Sequence, residues 1–186
     1  SDVYKRQATH NASVAGLSGA ERKPFTAGTQ EFCYTVVGNT KKEAPEIILA
    51  EELSQPIKVG EKSYPVTRYT FRLPLKDDSY ASLAEAEQII RSRTWDIEQV
   101  DSSDLLWYIP KQTIDSEKAY NGNPVSLRKL PMQAFKSKNI ANLWVLGPCA
   151  EIPRELATQV MRPVPALFIG EMMGETVARK IKDIPV

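Results

Sequence analysis

The residues best suited by type and spacing to do chemistry lie in "RPVPALFIGEMMGE", Arg162 to Glu175. Proline fits the first turn of a helix because the N–H it lacks would have no intrahelical partner there. Pro163 and Pro165 therefore predict a helix starting close to them, with Leu167, Ile169, Met173, Val177 and Ile181 as its apolar contacts. The free amides and positive dipole end of such a start suit an oxygen or ring with partial negative charge. Gly170 and Gly174 each cost about 1 kcal/mol relative to Ala inside a helix. Four residues apart, they share a face and would let another backbone or a flat ligand come close. A core helix with a small-residue face explains the same glycines, and periodicity alone leaves both readings open.

Other chemistry is thinly supplied. The only histidine, His10, stands in a polar leader, which disfavours Ser-His-Asp and Cys-His hydrolysis. Cys33 and Cys149 are isolated from each other and from any CxxC pair, so structural zinc is excluded. They are expected as buried thiols, with a single disulfide as the alternative. In "VTRYTFRLPL", Val66 to Leu75, strand alternation puts Arg68 and Arg72 on one face and Tyr69, Phe71 and Leu73 on the other. Those arginines are either a solvated face or a contact for an anionic substrate.

The elements that must position these residues are mixed in type. "TQEFCYTVVG", Thr29 to Gly38, and Val66 to Leu75 read as strands. The stretch from Lys41 to Pro65 reads as a surface excursion with at most a short element around Ile47 to Ala50. "SLAEAEQIIRSR" reads as an amphipathic helix with a capping box at Ser82 and Glu85 and a face of Leu83, Ala86, Ile89 and Ile90. "LLWYIP", Leu105 to Pro110, suits a short strand or buried turn, and "AYNGNP", Ala119 to Pro124, a loop. "NLWVLG", Asn142 to Gly147, is a continuous apolar run ending on glycine, which predicts a strand buried on both faces in a parallel sheet. The stretch between it and Arg162 shows no pattern, and Asn11 to Gly28 reads as a loop.

The 186 residues suffice for one domain, or one domain and part of another, and a 42% hydrophobic content suffices for a core. Basic and acidic residues number 24 and 23 with no basic block, which sets nucleic acid aside as a partner. No apolar run reaches the roughly 20 residues of a membrane span, and no secretory pattern opens the chain. A cytoplasmic protein is the expectation. The leader "SDVYKRQ" is polar and aperiodic and reads as a non-native end, so the chain is expected to be a fragment.

The stretch "LPMQAFKSKNIANLWVLGPC", followed by Arg162, Pro165, Gly170 and Gly174 in the order R-x-x-P-x-x-x-x-G-x-x-x-G, resembles the C-terminal end of FAD-dependent oxidoreductases of the glutathione-reductase-like superfamily. The likeness runs over roughly residues 125–181 and is faint before them, though "RYTFRLPL" is similar to a strand of that family's substrate-side region. It implies an α+β or α/β fold in which, after the leader at 1–10, a β-rich substrate-side region occupies 11–130 and the C-terminal part of an FAD-binding domain 131–186. It also implies that Gly147, Pro148, Cys149, Arg162, Pro163, Val164, Pro165, Ala166 and Leu167 approach the flavin of bound FAD. The helix start would stabilise negative charge on the flavin as it is reduced, and Arg162 would add a cation there, a structural ion pair being its alternative. FAD and an unidentified small-molecule substrate are the implied partners, with a missing N-terminal half of the same protein. Two departures qualify this. Pro148 stands where the family carries arginine, and the N-terminal GxGxxG unit is absent, so adenosine and pyrophosphate binding have no residues here. The competing class is a non-enzymatic α+β binding or interaction domain.

Overall fold

The computed structural model describes residues 12–39, 42–122 and 127–182. The leader at 1–10 and the last residues of the expected loop at Ala119 to Pro124 lie outside them. In chain order the elements are α1 (Ser13–Leu17), β1 (Arg22–Lys23), β2 (Gly28–Gly38), β3 (Ile47–Glu52), β4 (Ile57–Val59), β5 (Lys62–Tyr64), β6 (Val66–Leu75), α2 (Tyr80–Thr94), β7 (Gln99–Ser102), β8 (Thr113–Ile114), α3 (Arg154–Val160) and α4 (Pro163–Lys182). The fold is mixed α+β, with every paired strand antiparallel among the described residues. Two compact units divide it, one running from Phe25 to Tyr108 and the other combining the chain up to Pro24 with the chain from Ile109 onward. Residues 109–122 and 127–130, grouped by sequence with the substrate-side region, thus pack with the C-terminal segment.

The Phe25–Tyr108 unit is a four-stranded sheet in the order β3-β6-β2-β7. Alternation in β2 and β6 turns Phe32, Tyr34, Val36, Tyr69, Phe71 and Leu73 to one side, where Ala86 and Ile90 of α2 complete the core. Phe32 lies opposite Phe71 and Tyr34 opposite Tyr69, so the aromatic side chains meet as cross-strand pairs. Arg68 and Arg72 lie on the exposed face, where Glu51 meets Arg68 Nη2 at 2.7 Å and Glu31 meets Arg72 Nη2 at 2.7 Å. Each arginine already has a carboxylate from the adjacent strand, the arrangement of a solvated face. The excursion holds more structure than expected: β3 joins the sheet and β4 pairs with β5 as a hairpin.

The cap of α2 falls one turn before the expected one. Ser79, in extended conformation, accepts the Ser82 amide at 3.2 Å, and Asp77 accepts the Ser79 amide at 3.0 Å and the Ser82 hydroxyl at 2.7 Å. Glu85, released from capping, pairs with Lys76 at 3.3 Å. Two serines three apart offered the same local chemistry, and Asp77 decided between them.

In the other unit β1 pairs with β8, and the main core gathers Leu130, Phe135, Ile152, Leu156, Val160, Ile169 and Met173. Residues 13–17, expected within a loop, form the one-turn α1, whose Ala15 is buried. The strand expected at Asn142 to Gly147 is not formed. Trp144 makes one isolated antiparallel bridge, to Lys136, and Val145 N–H donates to Phe135 O at 2.8 Å. Leu143, Trp144 and Val145 are half-buried, and Leu146 is 51% exposed. A strand buried on both faces needs neighbouring strands and a layer on each side. Among the described residues this run has a single antiparallel partner segment, so it lies as an extended edge.

Candidate functional site

Helix α4 runs Pro163–Lys182, as the prolines predict, and both readings of it hold in part. One face is core: Ile169 and Met173 are buried against Leu156, Ala157 and Val160 of α3. The start is not. Val164 and Leu167 are 75% and 76% exposed, Arg162 and Pro163 are exposed, and Pro165 and Ala166 are half-buried. Leu167 thus leaves the apolar face that periodicity assigned it.

The supply of free amides is narrower than the expectation. Pro163 and Pro165 have none, and Ala166 N–H already donates to Arg162 O at 2.9 Å. Val164 carries the one unbonded amide of that first turn among the described residues. Arg162 makes no ion pair among them, so its cation is uncommitted beside that amide. On the glycine face a Cβ at Gly174 would meet nothing within 4 Å, and one at Gly170 would meet only Leu146 Cδ2, at 3.8 Å. No backbone approaches these glycines among the described residues. That contact nonetheless places the end of the Asn142 to Gly147 run against the first half of α4.

The turn that follows splits its three residues. Gly147 has φ +150° with open space where a side chain would stand. Pro148 and Cys149 are buried instead, Cys149 packing with Ala12, Ala15, Ala20 and Ile114 at 1% exposure. Neither cysteine forms a disulfide, and Cys33, expected as a buried thiol, is half-buried. The enclosed Cys149 thiol supports the turn from beneath and presents no reactive surface.

Two charged residues that sequence reasoning passed over hold this turn. Arg154 opens α3 and sends its guanidinium back to four backbone carbonyls. Nη1 donates to Pro110 O at 2.8 Å and Pro148 O at 2.7 Å, and Nη2 to Ala150 O at 2.9 Å and Ile152 O at 2.7 Å. Burial holds its pKa below the ordinary arginine value. Glu151 is buried too, accepting the Ser116 amide at 2.9 Å and hydroxyl at 2.6 Å and a hydrogen bond from Lys23. Asp115 lies 3.8 Å from Lys23 and 3.3 Å from Lys138. The available signal was Pro153 before a Leu156 to Val160 spacing of four, the mark of a short buried helix, with charges beside it.

The Glu151 cluster sets an acid limit. Burial pushes the Glu151 carboxyl up, but the bonds from Lys23 and Ser116 outweigh it and leave the pKa below the ordinary value. Lys23 is correspondingly raised, chiefly by its bond to Glu151. A depressed carboxylate stabilises the fold above its unfolded pKa, about 4.3, and that contribution disappears as pH falls through the folded pKa. We therefore expect the unit containing Glu151 to lose stability below roughly pH 4.3, and Glu151→Gln to flatten that limb. Urea unfolding across pH 3 to 7 checks this; equal acid sensitivity in the variant would remove Glu151 from the account.

No group of three or more His, Cys, Asp or Glu that could hold a metal ion occurs among the described residues. No helix there is long and apolar enough to cross a membrane. Comparison of the chain with protein-family models, with curated proteins and with solved structures found no match.

Proposed function

We propose that this chain supplies the substrate-side region and the C-terminal flavin-contacting turn and helix of a cytoplasmic FAD-dependent oxidoreductase. Its partners are FAD, a small-molecule substrate, and further polypeptide carrying the rest of the FAD-binding domain. The observation that carries the reading is the helix start: Arg162, Pro163, Val164 and Leu167 stand exposed around one unbonded amide, at the end of a 20-residue helix anchored in a core. An apolar, cationic helix start left uncovered is what a flat ring with an electron-rich edge would fit. In this reading Gly147 and the segment Arg162 to Leu167 make the contact, and buried Pro148 and Cys149 support it from below.

Bound FAD would supply the acceptance of two electrons from the substrate. The chain's residues orient and polarise. The Val164 amide and the helix dipole favour negative charge at their position, and Arg162 adds a full charge beside them. Leu167 and Val164 supply apolar contact that excludes water.

The test uses the complete polypeptide containing this chain, purified and examined for visible flavin absorbance. Bound flavin is expected; a flavin-free protein would overturn the reading in favour of a binding or interaction domain. Given flavin, Arg162→Ala should lower the reduction potential by about 20 mV, which is what ~1 kcal/mol of water-screened attraction gives a two-electron couple. An unchanged potential would return Arg162 to the protein surface as a solvated charge.

A further inference from the structure

We infer that Arg154 is a positioning residue that sets the shape of the Gly147 to Ile152 turn, and through it the flavin contact; this rests on the flavin reading above. Other bonds tie the turn at Cys149, whose carbonyl accepts the Ile114 amide at 2.8 Å, and at Glu151, whose carbonyl accepts the Tyr120 amide at 2.9 Å and whose side chain accepts from Ser116 and Lys23. Among the described residues none of them reaches the Pro148 carbonyl. The strand that should deliver it is absent, Gly147 takes a φ of +150°, and Pro148 has no amide to donate. Within the turn, Ala150 N–H reaches Gly147 O at 3.3 Å and Ile152 N–H reaches Ala150 O at 2.9 Å. Outward, Glu151 N–H donates to Ala134 O at 3.0 Å.

Arg154 supplies what regular structure does not. Its four Nη protons meet four carbonyls, three of them in the turn and its exit and one, Pro110 O, on the segment leading to β8. The Nη1 pair ties Pro148, the residue next to the open Gly147, to a strand approach 38 positions earlier in the chain (148 − 110). A planar fork with donors on two nitrogens can span these acceptors. Lysine, with three donors on one atom, cannot reach both sides. The guanidinium forms no ion pair among the described residues, and its four hydrogen bonds all go to backbone carbonyls, three of them in the turn.

The experiment compares the complete protein with its Arg154→Lys, Arg154→Ala and Leu130→Ala variants. FAD is titrated into each apo-protein, and amide hydrogen exchange is followed at Ala150 without FAD. Arg154→Lys should exchange faster at Ala150 and raise the Kd for FAD about 10–100-fold, the cost of misplacing a contact by an ångström or so. Free guanidinium ion should restore much of the affinity of Arg154→Ala. Leu130→Ala loosens the core of the same unit away from the turn and should leave the Kd within about threefold. A folded Arg154→Lys protein with unchanged Kd would overturn the inference while leaving the flavin reading intact. So would a Leu130→Ala Kd raised as far as that of Arg154→Lys, which would report general loosening, or an Arg154→Lys chain that does not fold. A wild-type protein that binds no FAD would defeat the flavin reading itself and this inference with it.

Discussion

Phe135→Ala is expected to destabilise the unit containing α3 and α4 by about 3–5 kcal/mol, the cost of emptying a fully enclosed aromatic site. Phe135 has 0% exposure and lies in one cluster with Leu130, Ile152, Leu156 and Ile169. Ile152, Leu156 and Ile169 come from the turn, from α3 and from α4, so the ring is the common surface on which the candidate site is assembled. Its carbonyl also accepts the Val145 amide at 2.8 Å, one of the few bonds holding the run before Gly147. Because whole domains are stable by only about 5–15 kcal/mol, this loss should be visible as a large drop in urea midpoint with little change in slope. A shift worth less than about 1 kcal/mol would show that the ring's site collapses readily and that the core is not tightly built there.

Gly38→Ala is expected to cost the sheet unit roughly 2–4 kcal/mol, from two independent sources. Gly38 has φ +150°, and a Cβ built there would stand 2.6 Å from Glu98 O and 3.1 Å from Gln99 Cα. Both neighbours are backbone, so neither can rotate away. The residue marks the register shift between β2 and β7, and its amide donates to Pro65 O at 3.0 Å, so the backbone is held on two sides. Gly147 shares the φ but has nothing within 4 Å of its Cβ position, so Gly147→Ala separates conformational strain from collision. Thermal unfolding of the two variants reads the difference. Equal losses would mean that β7 moves aside and that the collision carries no cost.

Much of this architecture is written locally. The alternation of Val66 to Leu75 placed β6 and both its faces, because a period of two decides which side chains share a surface before any partner is known. Thr29 to Gly38 was legible for the same reason, and α4 was legible because two prolines can only start a helix of that composition. The α2 helix was legible as an element but not at its cap, where Ser79 and Ser82 carry equivalent local signals and only Asp77, folded back on both, chooses.

What tertiary structure decided concerns partners. The run Asn142 to Gly147 announces burial, but an apolar run does not say which strands lie beside it, and here the one that does is a short segment around Lys136. The exposed faces of Val164 and Leu167 likewise follow from where α3 sits, because helical spacing gives a stripe and not its neighbour. Arg154 was the least legible residue of all. Its partners are backbone carbonyls, which every residue possesses, so neither composition nor spacing distinguishes the four it selects, one of them 44 positions away. The sequence by itself determined which segments become strands and helices, through periodicity and proline. The folded chain alone decided which charges are buried and what they hold, because that depends on distances between residues far apart in sequence.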